Sequence, residues 1–322
     1  MPAPHPVVHR IGILFGMENT FPDALVDRLN SSGVPGISAE FVKVGAVRMA
    51  VPSGYRVIVD RISHEIPFYR TVLKNAVLGG TTVINNPFWW SADDKFFNGA
   101  LAARLGLSVP PTVALPHKEH PPNTTAQSMR NLVYPMDWQD VFDYVGFPAV
   151  LKPSVGAGSR DVYPVQTPKE FFEAYDQTRD LCMVLQRAVN VHDCFRCYVV
   201  GRQDVRIMPY DSRAPHQERY LRNPPPYDPA LLARIEHDAL TLCRALGYDV
   251  NMVEFAVEGG VPYAVDFLNP APDADVHAVG QANFDWLVSA VADLAVRRAL
   301  EPPRAPELHW SALLSGDAIA GA

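Results

Sequence analysis

Apolar and polar positions follow two rhythms in the first third of the chain. A short apolar run at 11–15 ends at Gly16, and residues 21–29 then carry apolar positions at helical spacing. Residues 39–44 and 55–59 read as strands, 68–78 as a helix and 81–84 as a further strand. Short apolar runs separated by helices predict a parallel sheet covered on both faces. Ser91, Asp93 and Asp94 offer N-cap chemistry for a helix that runs through Leu105 and stops at Gly106.

The rhythm then changes. The pattern predicts a helix at 137–144, a strand at 147–152, a small-residue loop at 154–159, a strand at 161–165 and a helix at 168–178 with Pro168 in its first turn. Strand-like runs follow at 182–187, 195–200 and 204–208, and a polar, proline-rich stretch at 210–228 leads into a helix at 229–246. Residues 251–257 and 263–267 flank Glu258-Gly259-Gly260 and read as a hairpin, with a last helix at 284–300. The stretch 301–322 has little periodicity and is expected to be a loosely held extension; no internal repeat is present.

Composition narrows the classes. A chain of 322 residues has room for two or three packed subdomains. With 28 Lys and Arg against 35 Asp and Glu, the net charge of −7 disfavours broad binding to nucleic acid or anionic membrane. Four cysteines make no disulfide framework, so a reduced, cytoplasmic setting is expected. The start lacks the features of a signal peptide. The longest uncharged stretch, 75–92, is broken by Gly79-Gly80, Asn85-Asn86 and Pro87, which excludes a continuous membrane helix there and predicts a soluble protein. The 30 prolines mark fixed connections.

Two stretches carry candidate chemistry. A strand delivers Lys152 to a loop of Gly156, Ala157, Gly158 and Ser159, whose small residues let backbone N–H groups approach an anion. It lacks the Gly-Lys-Ser/Thr of a P-loop, and Asp161 followed by a strand breaks the dinucleotide fingerprint; an ordinary hairpin loop with a solvated lysine is the plain alternative. Further on, Glu254 and Asp266 sit among apolar neighbours on adjacent strands, with Asn269 just beyond. Two carboxylates and an amide are hard ligands suited to Mg²⁺ holding phosphates, unless they lie on a solvated sheet face. Cys194 and Cys197 point to opposite faces of a strand and read as structural. Arg213, His216 and Arg219 form either a solvated loop or a carboxylate-recognition site, and Asp273, Asp275 and His277 either meet an amine or cap the next segment. Trp89 and Trp90 read as packing residues.

Lys95 at a helix start, Lys152 before the small-residue loop, the strand ending Val184-Leu-Gln-Arg-Ala-Val189, and the Glu254/Asp266/Asn269 cluster occur in that order. The ordered set resembles the ATP-grasp superfamily of carboxylate–amine ligases, which includes glutathione synthetase, D-alanine–D-alanine ligase and biotin carboxylase, over roughly residues 86–300. The resemblance implies a mixed α/β and α+β fold: a doubly wound, parallel-sheet domain at 1–88, an ATP-grasp core at 89–300 divided into 89–190 and 191–300, and the tail at 301–322. It also implies ATP and Mg²⁺, with Mn²⁺ as an alternative, and an ATP-dependent ligation of a carboxylate to an amine through an acyl phosphate. The expected partners are small-molecule carboxylate and amine substrates, with no nucleic acid and no membrane, and a homodimer left open.

By the same resemblance Lys95 and Lys152 touch nucleotide phosphates, and Gly156 to Ser159 cover them. Gln186, Arg187, Ala188 and Val189 form the hinge whose backbone pairs with adenine, and Arg196 faces the transferring phosphoryl group. Glu254, Asp266 and Asn269 hold the metal. Two departures stand out. Asp266-Phe-Leu-Asn269 is one residue longer than the family's Glu-x-Asn, so a bulge is needed to keep both side chains on one face. Ala271 replaces a basic residue common after Asn-Pro, so the transition-state cation must come from Arg160, Arg206 or Arg213. Rival readings are an ATP-grasp small-molecule kinase and a nucleotide-binding regulator without catalysis. A dehydrogenase is disfavoured, because residues 11–16 give no complete glycine fingerprint.

Overall fold

The computed structural model describes residues 8–88, 94–155, 161–267 and 269–302. Its first sheet joins β1 (His9–Leu14), β2 (Ile37–Phe41), β3 (Val57–Asp60) and β4 (Thr82–Ile84) in the order β2-β1-β3-β4, with every pairing parallel. Alternate β3 residues enter different cores. Val57 and Val59 meet α1 (Phe21–Asn30) on one face, and Ile58 meets Leu73 and Ala76 of α2 (Pro67–Leu78) on the other. Helices on both faces explain why these strands read as continuous apolar runs.

Residues 94–187 form α3 (Lys95–Arg104) and an antiparallel sheet of β5 (Thr112–Leu115), β6 (Ala149–Pro153), β7 (Tyr163–Val165) and β8 (Met183–Arg187), ordered β5-β8-β6-β7. Two helices, α4 (Trp138–Val145) and α5 (Pro168–Tyr175), close one face. Leu151, Met183 and Leu185 pack there with Phe171 and Tyr175, while the alternate residues Val150, Lys152 and Gln186 face a cleft. β5 was not expected: its four residues lie between Pro111 and Pro116 and carry too short a pattern.

The third sheet is β9 (Asp193–Val200), β10 (Asp204–Pro209), β11 (Val250–Glu258) and β12 (Val261–Asp266), ordered β10-β9-β11-β12 and wholly antiparallel. Its back face packs on α6 (Pro229–Leu246), which ends at Gly247 in the left-handed conformation. Its front face shares a core with α8 (Gln281–Leu300) and the parallel sheet, so Leu287 and Val291 touch both layers' apolar set. α7 (Val276–Val279) precedes α8, which starts three residues earlier than its apolar pattern suggested.

The expected hairpin is present. Glu258 opposes Val261, leaving Gly259 and Gly260 as a two-residue loop with φ of 58° and 78°. Two consecutive positive φ values are what a type I′ turn demands, and glycine adopts them without steric cost. Among the described residues, no helix is long and apolar enough to cross a membrane.

Candidate active site

A cleft of about 410 Å³ opens between the second and third sheets. It brings together Lys95, Lys152, Gln186, Arg187, Ala188, Val189, Glu254, Asp266 and Asn269, drawn from five separate chain segments. Val150, Val162, Val189 and Val191 give it an apolar wall.

Lys95 arrives at the first turn of α3, where Asp94 caps the helix by accepting the Phe97 N–H at 2.8 Å. The Lys95 N–H donates to the Ser154 carbonyl at 3.0 Å, and its Nζ reaches the Pro153 carbonyl at 3.4 Å. Lys152 stands opposite on β6. Its Nζ donates to Gln186 Oε1 at 2.9 Å and to the Val265 carbonyl at 3.4 Å, and Gln186 is held in turn by its Nε2 donating to Thr112 Oγ1 at 2.9 Å. Burial pulls both lysine pKa values below the ordinary range, only partly opposed by Asp266. Two partly desolvated ammonium groups on one cleft favour a polyanion there.

The carboxylates come from register. Glu254 pairs across the ladder with Asp266, while its neighbour Phe255 pairs with Ala264, so Val265 is an extra residue on β12. This bulge lies ahead of Asp266 and is not the one expected between Asp266 and Asn269. Beyond the strand, Asn251 acts as a clamp that was not foreseen. Its fully buried side chain donates to the Phe267 carbonyl at 2.9 Å and accepts the Asn269 N–H at 2.9 Å. Asn269 is thereby kept at the cleft with Asp266.

Carboxylates directly opposite each other repel, and a divalent cation between them removes that cost. Glu254 has one oxygen committed, since Oε2 accepts Arg196 Nε at 2.9 Å, whereas among the described residues Oε1 meets only the Cys194 thiol at 3.8 Å. The donor set of Glu254, Asp266 and Asn269 therefore fits a hard cation that takes its remaining ligands from phosphate and water. No trio of His, Cys, Asp or Glu among the described residues forms a closed metal cluster.

Other expectations are redistributed. The Arg187 and Ala188 N–H groups already donate to the Pro111 and Pro148 carbonyls at 3.0 and 2.9 Å, so these two cannot serve an adenine edge. Arg196 is braced between Tyr210, whose ring lies 3.7 Å from its guanidinium carbon, and the Tyr220 hydroxyl, to which Nη1 donates at 3.3 Å. Arg206 does not line this cleft but a second one, and Arg213 is exposed and paired with Asp211 at 3.0 Å. Neither is positioned as the cation at the first cleft. Cys194 lines the cleft, with its thiol pushed well up by burial, and Cys197 is buried on the opposite face as the strand period requires. Asp275 caps α7 by accepting the His277 N–H at 2.8 Å. Gly156, Ala157, Gly158, Ser159, Arg160, Trp89 and Trp90 lie outside the described residues.

No family model matches the sequence, and a search of curated proteins finds no relative. Solved structures do match. The D-Ala:D-Ser ligase VanG from Enterococcus faecalis superposes with a TM-score of 0.64 at 13% identity, covering 91% of this chain and 100% of that one. An ATP-grasp RimK domain protein from Sphaerobacter thermophilus gives 0.63 at 17% identity, covering 89% and 99%. The D-alanine–D-alanine ligase from Bacillus anthracis, complexed with ATP, gives 0.62 at 15% identity, covering 91% and 98%. The superpositions run along almost the whole length of these proteins, and the fold of this chain is the ATP-grasp fold.

Proposed function

We propose that the chain is an ATP-dependent ligase that joins a small-molecule carboxylate to an amine through an acyl phosphate, releasing ADP and phosphate. The observation that carries this reading is the convergence of two desolvated lysines, a hinge strand and an opposed carboxylate pair on one cleft. Its support from outside is that neighbours of the same fold are ligases, one of them complexed with ATP.

In this reading the adenine lies against the valine wall and the phosphates run between Lys95 and Lys152. Glu254, Asp266 and Asn269 would hold Mg²⁺ or Mn²⁺, whose charge would offset that of the phosphate oxygens. An oxygen of the substrate carboxylate attacks the γ-phosphorus and the bond to the ADP oxygen breaks. The amine nitrogen then attacks the acyl carbon, phosphate leaves, and the amine loses a proton to water. Little covalent work falls on the protein. Its side chains position the reactants and supply fixed positive charge where negative charge is transferred, with Arg196 paired to Glu254 at 2.9 Å.

Hydroxylamine offers a test that needs no knowledge of the amine, since it converts an acyl phosphate to a hydroxamate. With Mg-ATP and a panel of acids, hydroxamate and ADP should form together, and Glu254→Gln or Asp266→Asn should lower the rate by about 100-fold or more. ADP release with a stable phosphoester and no hydroxamate would overturn the ligase reading. Unchanged turnover in both variants would overturn the metal assignment.

A further inference from the structure

A second cleft, of about 900 Å³, lies on the same face of the third sheet but on its β10 side. Its charged lining is one-signed: Arg206 and Arg222 face it beside His277, and no Asp or Glu is among its described lining residues. Arg206 Nε donates to Asn283 Oδ1 at 2.9 Å, while Asn283 Nδ2 donates to the Val279 carbonyl at 2.8 Å. The guanidinium is thereby oriented without being neutralised, and among the described residues no carboxylate pairs with it. The first turn of the 20-residue helix α8, from Gln281 to Asn283, also lines the cleft and has no capping side chain, which adds partial positive charge. Asp275, the acid beside His277, is committed to the His277 N–H and to the Thr20 hydroxyl.

The two clefts meet at one partition. Tyr220 lines the second cleft, its hydroxyl accepts from Arg196, and Arg196 holds Glu254 at the edge of the first. A molecule seated in the basic cleft can therefore present one end at the Arg196–Glu254 boundary and keep its other end among Arg206 and Arg222.

We propose that this second cleft holds the acid to be activated, and that this acid carries a distal anionic group, carboxylate or phosphate, bound by Arg206 and Arg222. The assignment rests on the ligase reading of the first cleft and adds a substrate class to it. It also gives Arg206 a task in place of the transition-state role expected from sequence. The reacting carboxylate lies at the partition, and the distal anion sets which acids are accepted.

The test uses the full chain saturated with Mg²⁺ and a non-hydrolysable ATP analogue. Binding of linear dicarboxylates from succinate to suberate, ω-phosphono acids of matched length, and the corresponding monocarboxylates is measured by calorimetry. At least one dianion should bind about tenfold or more tighter than its matched monoanion. The phosphono arm shows which anion is preferred. Arg206→Gln and Arg222→Gln should each erase most of that preference, and Arg206→Lys should keep part of it. Arg222 is exposed, so its variant is not expected to disturb folding. Equal binding of dianions and monoanions, no binding of either, or a preference that survives both glutamine variants overturns the proposal. Stabilisation by the Mg²⁺–nucleotide complex, read on the same samples, separates the two levels. Its presence confines the failure to the second cleft, and its absence removes the nucleotide reading beneath it.

Discussion

Burial lowers the pKa of Lys152, Asp266 opposes the shift, and the neighbouring Lys95 reinforces it. The sign has consequences. In the folded protein the charged form is disfavoured, so its cost to stability is full below the lowered pKa and fades as pH rises toward lysine's usual 10.5. A polyphosphate beside the ammonium reverses the shift, so at alkaline pH binding of Mg-ATP should take up protons. Titration calorimetry in two buffers of different ionisation enthalpy reads this directly: the heat should depend on the buffer, and buffer-independent heat throughout the alkaline range would contradict it. Lys152, Glu254 and Asp266 were legible in the sequence because a charge inside an apolar run is conspicuous. Asn251 and Asn85 were not. A neutral amide in a strand or loop looks like any polar residue until tertiary contacts bury it.

At the scale of elements, local chemistry was readable where the backbone demanded it. The Gly259-Gly260 pair fixed the hairpin, and the hairpin's register with the bulge fixed the opposition of Glu254 and Asp266. No atom lies within 4 Å of a Cβ built on Gly260, so Gly260→Ala should cost only its backbone strain, about 1–2 kcal/mol. Chemical denaturation should show that loss with an unchanged denaturant slope. A variant as stable as wild type would mean that the turn has another conformation. β5 illustrates the opposite case. Its four residues form a strand only because Thr112 to Leu115 pair with Gln186 to Met183, a partner more than 65 residues away that no local pattern announces.

Across the whole molecule, the parallel sheet and the third sheet share one core around α8, whereas the second sheet has a core of its own. A buried amide reinforces the first union. Asn85 accepts the Asp249 and Val250 N–H groups at 2.7 and 2.8 Å and donates to the Val250 and Pro270 carbonyls at 2.7 and 3.2 Å. Arg61, also buried, pairs with Glu18 and donates to the Pro272 carbonyl, so the parallel sheet braces the segment that follows Asn269. Leu287 is fully buried in the shared core, and Leu287→Ala should cost about 2–5 kcal/mol. Hydrogen exchange should quicken together in β1 and β9, and protection lost in one sheet alone would argue against a common core. Three-layer organisation was visible from the alternation of strands and helices; the joint core was not, because α8 carries apolar residues around much of its circumference and its pattern names no partner.

The central claim is that the cleft between the second and third sheets binds Mg-ATP through Lys152. Thermal unfolding of wild type and Lys152→Ala, with and without Mg-ATP, tests it most directly. At about 100 times its dissociation constant the nucleotide should stabilise wild type by about 2.7 kcal/mol. Loss of one charged contact of about 1.5–3 kcal/mol should remove most of that gain in the variant at the same concentration. No stabilisation of wild type at millimolar Mg-ATP, or an equal shift in both proteins, would contradict the account.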